Sequence, residues 1–106
     1  MGFFTAVPSV TVVEAEQKMR GKGAILVDVR NPDEFAAGHA RGAENCPLPV
    51  LGSCVDKLKG YSEVYVICQS GGRSASAVSS LLSENVRAYN VSGGTSAWRA
   101  NGLPVA

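Results

Sequence analysis

Residues 24–29, Ala24-Ile25-Leu26-Val27-Asp28-Val29, are apolar at consecutive positions up to the aspartate. A strand buried on one face alternates apolar with polar residues, so an unbroken run needs cover on both faces. That demand selects a central parallel strand with helices above and below it. Residues 63–68, Glu63-Val64-Tyr65-Val66-Ile67-Cys68, are rich in β-branched and aromatic side chains and make the same demand. A brief strand is predicted over 45–47 and a last one over 86–91. A loop or helix carrying Leu48, Val50, Leu51, Val55 and Leu58 lies between the second and third of these strands.

Helix signals fall between the strands. Thr11-Val12-Val13-Glu14 has the spacing of a capping box, so a helix of about ten residues is predicted to follow and to stop near Gly21 or Gly23. Asn31-Pro32-Asp33-Glu34 combines a cap residue, a first-turn proline and acids at the positive helix end, and this short helix is predicted to end at Gly38. Residues 74–84 place Ala77, Val78, Leu81 and Leu82 on one stripe, read as core. A last short helix, 95–100, lies between Gly93-Gly94 and Gly102. Alternating strands and helices predict an α/β fold with a mostly parallel sheet and helices on both faces, in which ligands bind at the carboxyl ends of strands.

A chain of 106 residues is one domain's worth, 1–106, and its 45% hydrophobic content excludes wholesale disorder. Ten basic residues face nine acidic ones without a run of like charge, which argues against nucleic acid and against a polybasic membrane tether. The longest apolar stretches, 23–27 and 64–68, fall far short of the roughly 20 residues that span a bilayer. The opening residues MGFFTAVPSV lack a basic n-region and are not an intact secretory signal. Cys46, Cys54 and Cys68 cannot all pair internally and fit no disulfide framework, so a reducing, cytoplasmic setting with at least one free thiol is expected.

The segment that carries chemistry is Cys68-Gln69-Ser70-Gly71-Gly72-Arg73-Ser74, which begins where a strand ends and finishes where a helix begins. Paired glycines let the backbone fold back so that successive N–H groups form a nest for an anion. The following helix adds its positive dipole end, and Arg73 adds a charge that can serve two acceptors. A cysteine at the mouth of this cradle is expected to be ionised and reachable, because reactive thiols at helix N-termini titrate at about 3.5–7.5 rather than ~8.5. Cys68 is therefore the candidate nucleophile, with no base required. The backbone amides of Gln69 to Ser74 would stabilise its thiolate, and Ser74 would help cap the helix. A buried, inert cysteine beside an ordinary turn would not account for the order strand end, Cys, Gly-Gly, Arg, helix cap.

Other candidates have structural readings. Asp28 and Arg30 lie two apart on a strand and face one side, where Arg30 could pair with Glu34 or Asp33 and brace the pocket wall. His39, between Gly38 and Ala40, reads as a hydrogen-bonded structural residue. A metal site from His39, Cys46, Cys54 and Cys68 lacks any ligand pair at two-to-four-residue spacing, so no metal is expected. Cys46 and Cys54 read as small apolar fillers, and Trp98 as a core anchor.

The chain resembles a single rhodanese domain, as in the small sulfurtransferases, over residues 10–105. The resemblance rests on ordered pieces: Leu26-Val27-Asp28-Val29-Arg30 with Pro32 and Glu34-Phe35; Gly38-His39 with Gly42-Ala43; the 68–74 loop; and Gly93-Gly94, Ala97-Trp98, Gly102 and Pro104. It implies a five-stranded parallel sheet in a three-layer α/β/α arrangement. It further implies that Cys68 takes a sulfane sulfur from a small anionic donor such as thiosulfate and passes it to cyanide, a thiol or a protein acceptor. Such persulfide chemistry on Cys68 calls for no organic cofactor. Four residues separate Cys68 from Arg73, whereas related phosphatases place five there and open a wider cradle. Two departures stand out. Ala40-Arg41 replaces the family's frequent aliphatic-proline pair, leaving Arg41 either near the pocket or an ordinary solvated charge, and Cys46 occupies a usual aliphatic position. The competing functions are a persulfide relay or anion-sensing module for a protein partner, and a phosphatase or arsenate reductase. Turnover on small acceptors against partner capture separates the first competitor, and aryl phosphate hydrolysis the second.

Overall fold

A computed structural model describes residues 6–106; residues 1–5, which open the segment read for a secretory signal, lie outside the described residues. The elements run β1 (Ser9–Val10), α1 (Val12–Lys18), β2 (Ala24–Asp28), α2 (Pro32–Ala36), β3 (Glu44–Asn45), a 3₁₀ segment (Leu48–Cys54), α3 (Val55–Leu58), β4 (Glu63–Ile67), α4 (Gly72–Ser83), β5 (Ala88–Val91) and α5 (Gly94–Ala100). The five strands form one sheet in the order β1-β5-β4-β2-β3, and every pairing is parallel.

The two apolar runs became neighbouring central strands, β2 and β4, in register from Ala24–Glu63 to Asp28–Ile67. Their alternate side chains feed two cores. On one face Ile25, Val27, Val64 and Val66 pack with Leu51, Leu58, Ala77, Val78 and Leu81, from the 3₁₀ segment, α3 and α4. On the other, Leu26, Tyr65 and Ile67 pack with Val12, Ala15 and Trp98 from α1 and α5. Trp98 is fully buried, and its indole N–H donates to the Pro104 carbonyl at 2.7 Å.

The capping box of α1 is formed: Glu14 N–H donates to Thr11 Oγ1 at 3.1 Å, and Thr11 N–H to Glu14 Oε1 at 2.9 Å. The helix is seven residues long, shorter than the ten expected. α4 ends where Asn85 takes a left-handed φ of 63° and the Val86 N–H reaches back to the Leu81 carbonyl at 3.0 Å. Leu82, assigned to the core stripe, is instead 40% exposed, because the stripe turns away from the sheet there. β1 carried no recognisable strand pattern in the sequence. Its two residues are held at the sheet edge by backbone bonds, Asn90 N–H to Pro8 O (2.8 Å) and Ser92 N–H to Val10 O (2.9 Å).

The cysteines depart most from expectation. Cys46 and Cys54 are joined in a disulfide, and Cys68 is the free thiol. They are not separate apolar fillers. The 3₁₀ segment between them turns the chain back on itself and brings together two residues eight apart, a proximity that linear spacing does not reveal. His39 takes part in a local structural motif: its Nδ1 lies 2.8 Å from the Phe35 carbonyl, and its ring stacks on Phe35 at 3.6 Å. Arg41 is exposed and lines a cleft of about 420 Å³ with Met19, Arg20 and Trp98, away from Cys68. Among the described residues, no helix is long and apolar enough to cross a membrane.

Candidate active site

Cys68 follows β4 directly, beside the end of β2, where the Val29 N–H donates to the Ile67 carbonyl at 3.0 Å. The chain then turns into α4 through Gly71, whose φ of 110° is a left-handed conformation that side chains rarely adopt. This turn aims the Gly71 N–H at Cys68 Sγ, 3.1 Å away. Ser74, one turn into α4 and fully buried, places its hydroxyl 3.2 Å from the same sulfur. Ser74 was expected to cap the helix. Gly71 occupies the cap position instead, because α4 begins at Gly72, and this frees the Ser74 hydroxyl to face the thiol.

The carbonyls of the loop are drawn the other way. The Cys68 carbonyl accepts from Thr95 N–H at 2.8 Å and from Thr95 Oγ1 at 3.0 Å, while the Gln69 carbonyl accepts from Ser96 N–H at 3.0 Å. The start of α5 thus holds the oxygens of the loop and leaves amides for the sulfur. This contact requires Gly94: a Cβ there would lie 2.5 Å from the Cys68 carbonyl oxygen and 2.6 Å from that of Gln69.

Burial of Cys68 opposes its ionisation. The Ser74 hydroxyl and the amides of Ser74, Gly71 and Ser70 outweigh that cost and hold the thiol below its ordinary value. The residue is only 1% exposed, so it forms the floor of the cradle, not its mouth. Its rim is open: Gln69, Ser70 and Gly72 are exposed, and Gly71 is half-buried.

Two arginines flank the loop, each with its own carboxylate. Arg73 makes a two-pronged pair with Glu34, Nη1 to Oε1 at 2.8 Å and Nη2 to Oε2 at 3.0 Å. Arg30 pairs neither with Glu34 nor with Asp33. Its Nε lies 3.1 and 3.0 Å from the two Asp28 carboxylate oxygens, and its Nη2 lies 2.9 Å from Oδ2. Asp28 is the nearer partner on the same strand end, and both side chains are buried. The remaining Arg30 donors reach Gly38 O at 2.8 Å and Gln69 Oε1 at 3.3 Å. Gln69 Nε2 then donates to Ser96 Oγ at 2.9 Å, so one loop side chain links the segment just after β2 to α5.

Sequence reasoning missed Thr95 and Ser96 as loop holders, Glu34 as the partner of Arg73, and Asn90. Asn90 accepts from the Ser74 hydroxyl at 2.6 Å. Its one available signal was a lone amide in an otherwise apolar strand, since a buried polar side chain needs a partner.

Fold and site together define a class: a parallel α/β domain with a hydrogen-bonded thiol in a strand-to-helix anion loop. The chain belongs to the rhodanese-like domain family, whose pattern it matches over residues 11–101. It is 36% identical over 89 residues to the uncharacterized protein YqhL of Bacillus subtilis strain 168, covering 83% of this chain and 71% of that one. Among solved structures it is similar to a rhodanese-like domain protein from Staphylococcus aureus, with a TM-score of 0.78, 32% identity and coverage of 86% and 90% of the two chains. A rhodanese-related protein from Thermoplasma volcanium superposes with a TM-score of 0.83 at 29% identity, covering 93% and 97%.

Proposed function

We propose that this domain is a sulfurtransferase that moves a sulfane sulfur from thiosulfate, or a similar small anionic donor, to a nucleophilic acceptor through a persulfide on Cys68. The observation that carries the reading is the pair of donors on Cys68 Sγ, Gly71 N–H at 3.1 Å and Ser74 Oγ at 3.2 Å. Such donors favour a thiolate, the form that attacks sulfur.

In the first half-reaction the thiolate attacks the outer sulfur of thiosulfate. A Cys68 S–S bond forms, the donor's S–S bond breaks, and sulfite leaves with that electron pair. In the second, an acceptor such as cyanide attacks the outer persulfide sulfur, thiocyanate forms, and the thiolate returns. No proton transfer or external redox partner is needed. The donor approaches over the open rim of Gln69, Ser70 and Gly72, because the sulfur lies at the cradle floor. The pairing of Arg73 with Glu34 makes it a loop brace whose positive charge still acts on Cys68.

Intact-mass measurement after mixing with thiosulfate tests this directly. The expected result is a gain of one sulfur atom, lost on adding cyanide or a thiol, and absent in a folded Cys68→Ser variant. No adduct with any sulfane donor, together with hydrolysis of an aryl phosphate, would move the assignment to a phosphatase.

A further inference from the structure

Ser74 carries one hydroxyl proton and has two acceptors within reach, Asn90 Oδ1 at 2.6 Å and Cys68 Sγ at 3.2 Å. All three side chains are enclosed: Ser74 is fully buried, Cys68 is 1% exposed and Asn90 is 7% exposed. One proton cannot make a full-strength hydrogen bond to both acceptors at once. Asn90 comes from β5, a different element from the loop, and its Nδ2 lies 3.4 Å from the Gly71 carbonyl, which keeps Oδ1 turned toward Ser74.

We propose that Asn90 is a positioning residue that competes with Cys68 for the Ser74 hydroxyl proton, holding it while the sulfur is a thiol and yielding it when the sulfur is a thiolate. A neutral thiol is a weak acceptor, so the carboxamide oxygen takes the hydroxyl proton and the S–H is free to donate to Ser74 Oγ. A thiolate reverses the preference, because a hydrogen bond to a charged acceptor is roughly twice as strong as a neutral one. The thiol proton leaves to water, and the hydroxyl proton stays on its oxygen and only rotates. Asn90 thereby sets how costly it is for Cys68 to ionise. The charged groups around the site are Arg73 on α4, Asp28 at the end of β2, Arg30 just beyond it, and Glu34 from α2, while β5 and α5 present the neutral Asn90, Thr95 and Ser96.

For the reaction this rests on the sulfurtransferase reading, but the test reads the thiol itself. Cys46 and Cys54 are bonded to each other, so Cys68 is the thiol that iodoacetamide alkylates in the folded protein. The pH dependence of that alkylation, followed by mass, gives the midpoint of Cys68 ionisation. Asn90→Leu removes the competing acceptor and is expected to lower the midpoint. Asn90→Asp supplies a stronger, charged competitor and is expected to raise it by about one pH unit or more. In a Ser74→Ala background the effect of Asn90→Leu should vanish. If Asn90→Leu fails to fold by circular dichroism, Asn90→Ala, which only removes atoms, carries the same expectation. The proposal is overturned if the leucine or alanine variant leaves the midpoint unchanged or raises it, or if its effect survives in Ser74→Ala. Opposite movements without any sulfur adduct from thiosulfate would sink the sulfurtransferase reading alone.

Discussion

Gly94 and Gly72 begin two helices that meet at one loop, yet they tolerate a side chain very differently. A Cβ at Gly94 would meet two carbonyl oxygens of the loop backbone, and its φ of 59° disfavours any L side chain. A Cβ at Gly72 would meet no heavy atom of the surrounding structure within 4 Å, and the backbone there is ordinary helix. Gly94→Ala should therefore cost roughly 2 kcal/mol or more of stability and push the loop off its α5 anchor, with a matching loss of the proposed sulfur transfer. Gly72→Ala should be neutral, or stabilising by up to about 1 kcal/mol. Chemical denaturation of the two variants alongside thiosulfate loading checks both statements, and equal tolerance would refute the anchoring role of α5. At this scale the sequence disclosed the cysteine and its glycines, because their order has few other uses. It did not disclose Thr95, Ser96 or Asn90, whose contacts with the loop arise only when the sheet places β5 and α5 beside β4.

α2 buries no residue of its own and reaches the site through one carboxylate. The Arg73 guanidinium, followed by the Asn31 amide, holds the Glu34 carboxyl well below the usual range, at about 2. A carboxyl whose folded value is depressed contributes its stability in full above the unfolded value, and loses it as pH falls toward the folded one. For Glu34 that window runs from its ordinary 4.5 down to about 2. Thermal unfolding across this window should show a loss in the natural protein that is smaller in Glu34→Gln. Because both side chains are about a third exposed, the difference should amount to about 1 kcal/mol or less. An identical pH dependence in the two proteins would mean that the pair contributes nothing. The acids at the start of α2 were legible as helix-start residues, but which arginine they would meet was not. Arg30, two residues past the end of β2, is satisfied by Asp28 at that end, and Glu34 is left to the arginine from α4.

Across the molecule, consecutive apolar residues in β2 and β4 implied burial on both faces, and that alone dictates a parallel sheet with two helical layers. Cys68, the loop and the flanking arginines gather at the carboxyl edge of that sheet because parallel strands all end on one side. The ends of the sheet were harder to read: β1 is two residues long and carries no pattern, while the brief strand predicted over 45–47 forms one residue earlier, as β3 over Glu44–Asn45. The disulfide escaped for a related reason, since a turn eight residues long leaves no periodic trace. It ties the residue that follows β3 to the start of α3, beside the core that also holds Cys68. Closing a loop this short removes conformational freedom chiefly from the unfolded chain, worth about 2–3 kcal/mol on a chain-entropy account. For a domain of this size, reduction should lower the unfolding temperature by roughly 10–15 °C. Native stabilities of about 5–15 kcal/mol leave the reduced domain folded. The donors on Cys68 come from the loop and α4, neither of which the bond touches. A Cys46→Ala/Cys54→Ala variant should therefore melt lower while keeping the Cys68 alkylation midpoint of the natural protein. Unchanged melting would show that the bond adds no stability, and a displaced midpoint would show that the wall it braces reaches the thiol.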